Sequence, residues 1–232
     1  MTDYVSSFNF PLVKCDVEEE GYYRQAEYSP LSYGVNKEKS ITSLRNIYSS
    51  GTNHFNAPSL GEVKALVIPV NFEDSDRSEN EKQRIIIHNA FFGEKKKTTF
   101  ESLSSFMDYS SYGQLNLSGY VSEFYNYPYA STSLGSGTSS VSSKVAQSAL
   151  NWFYENHPDF DMEDYDSDKD GVLDALYIVY NHEAGENSNS LFWAYVDHMS
   201  KNTINKDKPY GNVYAWISYS FLDGGDNFAE TH

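Results

Sequence analysis

Four short apolar stretches stand out from a polar background, and each carries the signature of a strand. Ala65-Leu66-Val67-Ile68-Pro69-Val70-Asn71-Phe72 is one, and Pro69, which cannot donate to a ladder, predicts an edge position or a bulge. Leu115 to Val121 alternates apolar and polar positions as a half-buried strand does. Ala175-Leu176-Tyr177-Ile178-Val179-Tyr180 is β-branched and aromatic throughout, which predicts a buried strand, and Tyr214 to Tyr219 predicts another. Between them the spacing turns helical. Ser78 with Glu81 forms a capping box that opens a helix carrying Ile85, Ile86 and Phe92 and stopping at Gly93. Thr98 with Glu101 forms a second box, opening a helix with Leu103, Phe106, Met107 and Ser110 on one face and Gly113 as its stop. Residues 131–143, rich in serine, glycine and threonine, predict an exposed loop. A third helix, with Val141, Val145, Ala149, Trp152 and Phe153 at helical spacing, ends before Pro158. Residues 1–60 are polar and weakly periodic, an extended lead-in with room for a short hairpin, and order begins at Gly61. Strands separated by helices predict an α/β (α+β) domain over residues 61–232, a mixed twisted sheet with flanking helices.

Composition narrows the class. With 232 residues, 39% hydrophobic and 16% aromatic, the chain can bury a core and is not a disordered segment. A net charge of -16 argues against nucleic acid or an anionic membrane as partner, because both select basic surfaces. No apolar run reaches the roughly 18 residues that a membrane-spanning helix needs. The single cysteine, Cys15, cannot form an intramolecular disulfide, and its surroundings do not mark it as a nucleophile. Met1-Thr2-Asp3-Tyr4 does not open a charged-then-apolar leader.

The chemistry with the most specific spacing is the run Asp166-Ser167-Asp168-Lys169-Asp170-Gly171-Val172-Leu173-Asp174. Carboxylates this close repel unless a cation lies among them. An EF-hand loop supplies oxygen ligands from positions 1, 3, 5, 7 and 9 with glycine at 6. Asp166, Asp168 and Asp170 match the first three, Gly171 the turn, and Asp174 the ninth. The bidentate glutamate of position 12 is replaced by Tyr177, and the run leads into a strand instead of a helix. The expectation is therefore a structural calcium loop with Asp166, Asp168, Asp170 and Asp174 as metal ligands, not a switch. The plain alternative is a solvated acidic turn.

No complete catalytic constellation is visible. His182-Glu183 begins like a zinc-protease motif, but the histidine required four residues after the first is Glu186. Gly185, Asn187 and Asn189 make the segment a loop, so it is a decoy as a catalytic helix, and its other role would be on the rim of a cleft at a strand end. His88 and His157 read as structural or solvated, His54 has no visible partner, His198 reads as a loop residue, and His232 is the last residue. No nucleophile elbow or glycine-rich phosphate loop is present.

Three segments in order resemble the secreted bacterial zinc metallopeptidases of the immune inhibitor A type. Lys64 to Asp74 is similar to that family's first core strand with its phenylalanine-x-aspartate ending. Ser110 to Gly119 resembles its Ser-Tyr-Gly turn after a helix, and Asp164 to Asp174 its acidic loop before a central strand. The resemblance covers roughly residues 60–232 and implies a zincin-like N-terminal subdomain. The family's histidine-glutamate-x-x-histidine helix should follow a segment like Asp226-Asn227-Phe228-Ala229-Glu230-Thr231-His232, with His232 just before the helix and not one of its two ligands. The resemblance thus implies a truncated, inactive N-terminal fragment of a secreted zinc metalloendopeptidase that hydrolyses peptide bonds in proteins. Calcium would belong to this chain, and zinc to the full-length parent. It implies an extracellular or cell-surface location, and residues 1–60 would be a propeptide remnant or a structural lead-in. The competing reading is a non-catalytic, calcium-stabilised extracellular binding module with exposed Tyr125, Tyr127 and Tyr129 as an aromatic ligand surface.

Overall fold

The computed structural model describes residues 58, 60–94, 101–135, 138–167, 169–185, 190–199, 208–209 and 211–222, together with the backbone of 12–14 and 23–25. The chain divides into two compact units, 1–46 and 47–232. In the first, strands β1 (Leu12–Lys14) and β2 (Tyr23–Gln25) pair antiparallel, with Val13 opposite Arg24.

Among the described residues the second unit is mixed α/β, a six-stranded sheet flanked by three helices. Its strands are β3 (Gly61–Asn71), β4 (Leu115–Val121), β5 (Tyr125–Asn126), β6 (Ala175–Tyr180), β7 (Tyr195–His198) and β8 (Val213–Ser218). The spatial order is β4-β3-β6-β8-β7, with β5 prolonging β4 alongside β3. All pairings are parallel except β7 with β8. The helices are α1 (Asn80–Phe92), α2 (Leu103–Ser110) and α3 (Thr138–Asn156).

Pro69 occupies neither an edge nor a bulge. It lies in the central strand, opposite Val179 of β6. In a parallel ladder the N–H and C=O of one residue point to the same neighbour, and successive residues alternate. The Val67 and Asn71 carbonyls accept from Ser122 and Tyr127, so position 69 also faces the β4/β5 side. There the neighbouring strand is interrupted between Val121 and Tyr125, and the missing proline donor meets that gap. Gly119 answers another constraint: a Cβ there would collide with the Ala65 carbonyl oxygen and the Phe92 ring.

The two faces of the sheet are covered by different helices. On one, Leu66, Ile68, Ile178, Tyr180 and Trp216 pack against Val145, Ala149 and Phe153 of α3, all fully buried. The Ser142 hydroxyl bonds the Tyr214 hydroxyl (2.7 Å), tying α3 to β8. On the other, Val67, Val121 and Val179 meet Ile87 and Phe91 of α1, while Val63, Ala65 and Leu117 meet Leu103 and Met107 of α2.

The helix starts differ from the capping boxes. Glu79, not Ser78, is the N-cap of α1 and makes no side-chain cap bond. The Ser78 N–H donates instead to Asp76 Oδ1 (2.9 Å), a local Asx turn that competes with the box. Within the isoleucine run Ile87 is buried and Ile85 is exposed. Helix α2 begins after Ser102, whose buried hydroxyl accepts from the Ser105 N–H (3.1 Å); Thr98 lies outside the described residues. Ser104 bonds the Leu117 carbonyl (2.5 Å), which turns Leu103 and Met107 toward the sheet and leaves Phe106 exposed. The expected loop 131–143 is also shorter: Ser131 is buried in a short 3-10 helix, and α3 starts at Thr138. Gly93 and the end of α3 before Pro158 fall as expected.

Candidate functional site

Three features outside the packed core carry chemistry or uncovered apolar surface. The first is the acidic loop, entered through a 3-10 turn at Glu163–Tyr165 and left through β6. Gly171 has φ +86° and Lys169 φ +59°, so the backbone coils tightly around Asp166. The Asp166 carboxylate, 9% exposed, accepts from the Asp170 N–H (3.0 Å) and the Gly171 N–H (2.9 Å). Asp174 Oδ2 accepts from the Ser167 N–H (3.0 Å), and Asp170 Oδ1 from the Val172 N–H (2.8 Å). Three of the four expected ligands thus accept from backbone amides of the loop, and Asp168 lies outside the described residues. Among the described residues no three Asp, Glu, His or Cys side chains converge on one point. Tyr177, at the position of the closing glutamate, faces away and packs its ring 4.8 Å from that of Phe91.

The second feature is a cleft of about 390 Å³ at the carboxyl ends of β3, β6 and β8. Chain order departs from spatial order there, since β4 lies on one side of β3 and β6 on the other. Such a switch point is where the loops of a parallel sheet diverge and leave a crevice. Asp74 and Asp76 come from the loop after β3, Asn181, His182 and Glu183 from the loop after β6, and Ser220 from the turn after β8. Asn181 locks two of these loops together. Its amide donates to Asn71 Oδ1 (2.9 Å) and to the Asp76 carbonyl (2.9 Å), and Ser75 Oγ donates to the Asn181 carbonyl (2.8 Å). Burial works to raise the Asp74 carboxyl, but the Ser131 N–H and hydroxyl, each at 2.8 Å, outweigh it and hold the group below the usual carboxylate range.

His182-Glu183 is thus on a cleft rim and not on a helix. The imidazole stacks on Phe192 at 3.9 Å, and its Nδ1 lies 2.8 Å from the Glu183 carbonyl. The remaining histidines are placed elsewhere. His157 is structural, with Nε2 3.0 Å from Glu123 and its ring stacked on Phe153 at 4.4 Å. His88 is exposed on α1, and His198 is exposed at the end of β7. His54, Glu186, Asn187, Asn189 and the segment 226–232 with His232 lie outside the described residues.

The third feature escapes sequence reading because strand β7 does. Beside β8, β7 extends the sheet past the reach of α1 and leaves an apolar groove lined by Phe91, Tyr177, Val196, Ile217 and Leu222. Val196 is 69% exposed. The adjacent pair Tyr195-Val196, both good strand formers, was the available signal, but four residues between loops are too few for a periodicity.

The tyrosines expected to form an exposed surface are not equivalent. Tyr125 and Tyr127 are half-buried against the core beside Trp152, because β5 pairs with β3; Tyr129 is exposed. Among the described residues no helix is long and apolar enough to cross a membrane. Compared with models of known protein families and with curated proteins, the chain gives no match.

Proposed function

We propose that this chain is the N-terminal portion of the catalytic domain of a secreted zinc metalloendopeptidase of the immune inhibitor A type, acting on proteins or peptides outside the cell, with calcium bound in the acidic loop. The observation that carries the reading is the groove beside α1. It is almost wholly apolar, and Leu222, in the turn that leaves β8, already lines it. A sheet face of this kind is stable in water only when another element covers it. A helix formed by the chain after Leu222 would lie beside α1 on the open part of the sheet, which is the seat the proposed zinc-binding helix needs.

The described residues do not assemble a zinc site, so no catalytic step is assigned to them. Zinc, held on the following helix, would polarise the peptide carbonyl and activate water. What supports calcium in the acidic loop is its donor chemistry, hard carboxylate oxygens, on a backbone that turns around Asp166. Asp166, Asp168, Asp170 and Asp174 would hold the ion. The loop is anchored on the α3 side by Tyr165 and Leu173, so the ion would act as a brace.

The test is the coding sequence after His232. A histidine-glutamate-x-x-histidine within about ten residues is expected, because two histidines four apart share one helix face. The longer product should bind one zinc by elemental analysis and cleave casein, whereas the 232-residue chain should not. A longer product without zinc, or robust zinc-dependent cleavage by the 232-residue chain, overturns the reading.

A further inference from the structure

Among the described residues β4 is the outer strand of the sheet on the side away from β7. An edge strand of seven residues offers a row of backbone groups to any other extended chain. The register shows which groups these are. The Gln114 carbonyl accepts from the Gly61 N–H (2.6 Å), and the Ser122 N–H donates to the Val67 carbonyl (3.0 Å), so the even-numbered residues of β4 bond β3. In a parallel ladder the N–H and C=O of one residue share a side and successive residues alternate, which turns those of Leu115, Leu117, Gly119 and Val121 outward.

Three of these outward groups are already taken, each by a side chain from a helix. The Leu115 N–H donates to Ser111 Oγ (2.9 Å) at the C-cap of α2. The Leu117 carbonyl accepts from Ser104 Oγ (2.5 Å) within α2. The Val121 carbonyl accepts twice from Arg84 of α1, from Nε (3.3 Å) and from Nη2 (3.1 Å). The caps thus span β4 from its first residue to its last. Seating the helices does not require them, since α1 rests on the sheet through Ile87 and Phe91 and α2 through Leu103 and Met107. A strand added to this edge would use the same three backbone groups and could pair only by displacing all three side chains. We propose that Arg84, Ser104 and Ser111 form an edge guard that keeps a second copy of this chain from pairing with β4. The guard acts at contact, whereas the net charge of -16 repels copies at longer range and is screened by salt.

Sedimentation equilibrium of the 232-residue chain in about 0.5 M salt, where charge repulsion is screened, tests this. Arg84→Ala and Ser104→Ala each put a good helix former on a helix and each free one carbonyl of the edge. The double variant should keep the wild-type circular dichroism spectrum. It should self-associate at least about tenfold more tightly than the wild type, because the freed acceptors can then bond the partner strand. Hydrogen exchange should show amides of 115–121 protected in the associated form, and each single variant should fall between wild type and double. A folded double variant with an unchanged association constant overturns the proposal. So does association that protects 195–198 of β7 and leaves 115–121 exchanging as in the wild type. Should the double variant fail to fold, Ser104→Ala alone decides by the same two readouts, because it removes one hydroxyl and no charge.

Discussion

The two faces of the sheet are built to different degrees of completion. The α3 face is closed: a 19-residue helix spans β3, β6 and β8, and its Val145, Ala149 and Phe153 are wholly buried. On the opposite face α1 and α2 cover β4, β3 and part of β6, while β8 and β7 turn Ile217 and Val196 toward a groove. The same strands supply both faces, so the difference is not one of strand propensity. It lies in the connections between strands. The connection from β4 to β6 contains a long amphipathic helix, whereas the described part of the connection from β6 to β8 contains an antiparallel edge strand and no helix. Apolar area left uncovered in this way is a driving force for association.

The contrast predicts unequal costs of truncation. Phe153→Ala should destabilise by about 3–5 kcal/mol, because the closed face cannot collapse around a lost ring. Urea unfolding followed by circular dichroism reads this directly. Ile217→Ala, on the open face, should cost about 1 kcal/mol or less, since its side chain is only partly removed from water. Equal losses at the two sites would mean that the groove is filled in solution.

Calcium sharpens the comparison from the closed side, because the acidic loop is rooted there. At roughly 100 times its dissociation constant, an ion bound only to the folded loop would add about 2.7 kcal/mol. Millimolar calcium should therefore raise the melting temperature by several degrees relative to chelator, and Asp168→Ala or Asp170→Ala should abolish the rise. An unchanged melt would remove calcium from the account of this loop.

Helix α2 is the thinnest cover on the open side. Its start depends on Ser102, and Ser102→Ala should cost about 1 kcal/mol. Amide exchange in 103–110 should accelerate more than in α3. Uniform acceleration would mean that the two faces unfold as one.

The smallest effect is on pH. Glu123 is driven up by burial but held lower overall by its own N–H and by His157, while Asp74 is held low by Ser131. Both therefore stabilise the fold above their unfolded values of about 4, and that stability is lost as pH falls through the lower folded values. At the other extreme, burial pushes Tyr165 up to about 12, with the charge of Asp164 adding to it, and burial likewise raises Tyr154, Tyr180 and Tyr214. Their contribution is complete below about pH 10 and lost as pH rises beyond it. A stability plateau between roughly pH 5 and 9 with both shoulders is expected in thermal scans. Glu123→Gln should soften only the acid shoulder, and no change there would refute its part.

Much of this architecture is legible from pattern alone, and for a common reason. Strands β3, β4, β6 and β8 and helix α3 are long enough for burial to stamp a periodicity on consecutive residues. The acidic loop is legible because carboxylates at alternating positions before a glycine encode a local backbone path, which Gly171 and Asp166 follow. Capping is not legible where one short polar side chain outcompetes another: Asp76 takes the Ser78 N–H, and Ser102 takes the cap of α2.

By itself the sequence determined most of the local elements, the acidic turn and a net charge of -16. Only the tertiary structure decided which strand is central, why Pro69 is tolerated there, that Asp74 and Glu183 share one cleft, and that the described residues leave an apolar groove on one sheet face. The physical reason is range. Periodicity and turn chemistry act over a few residues, whereas Asp74 and Glu183 meet only because β3 and β6 become neighbours across the helices between them.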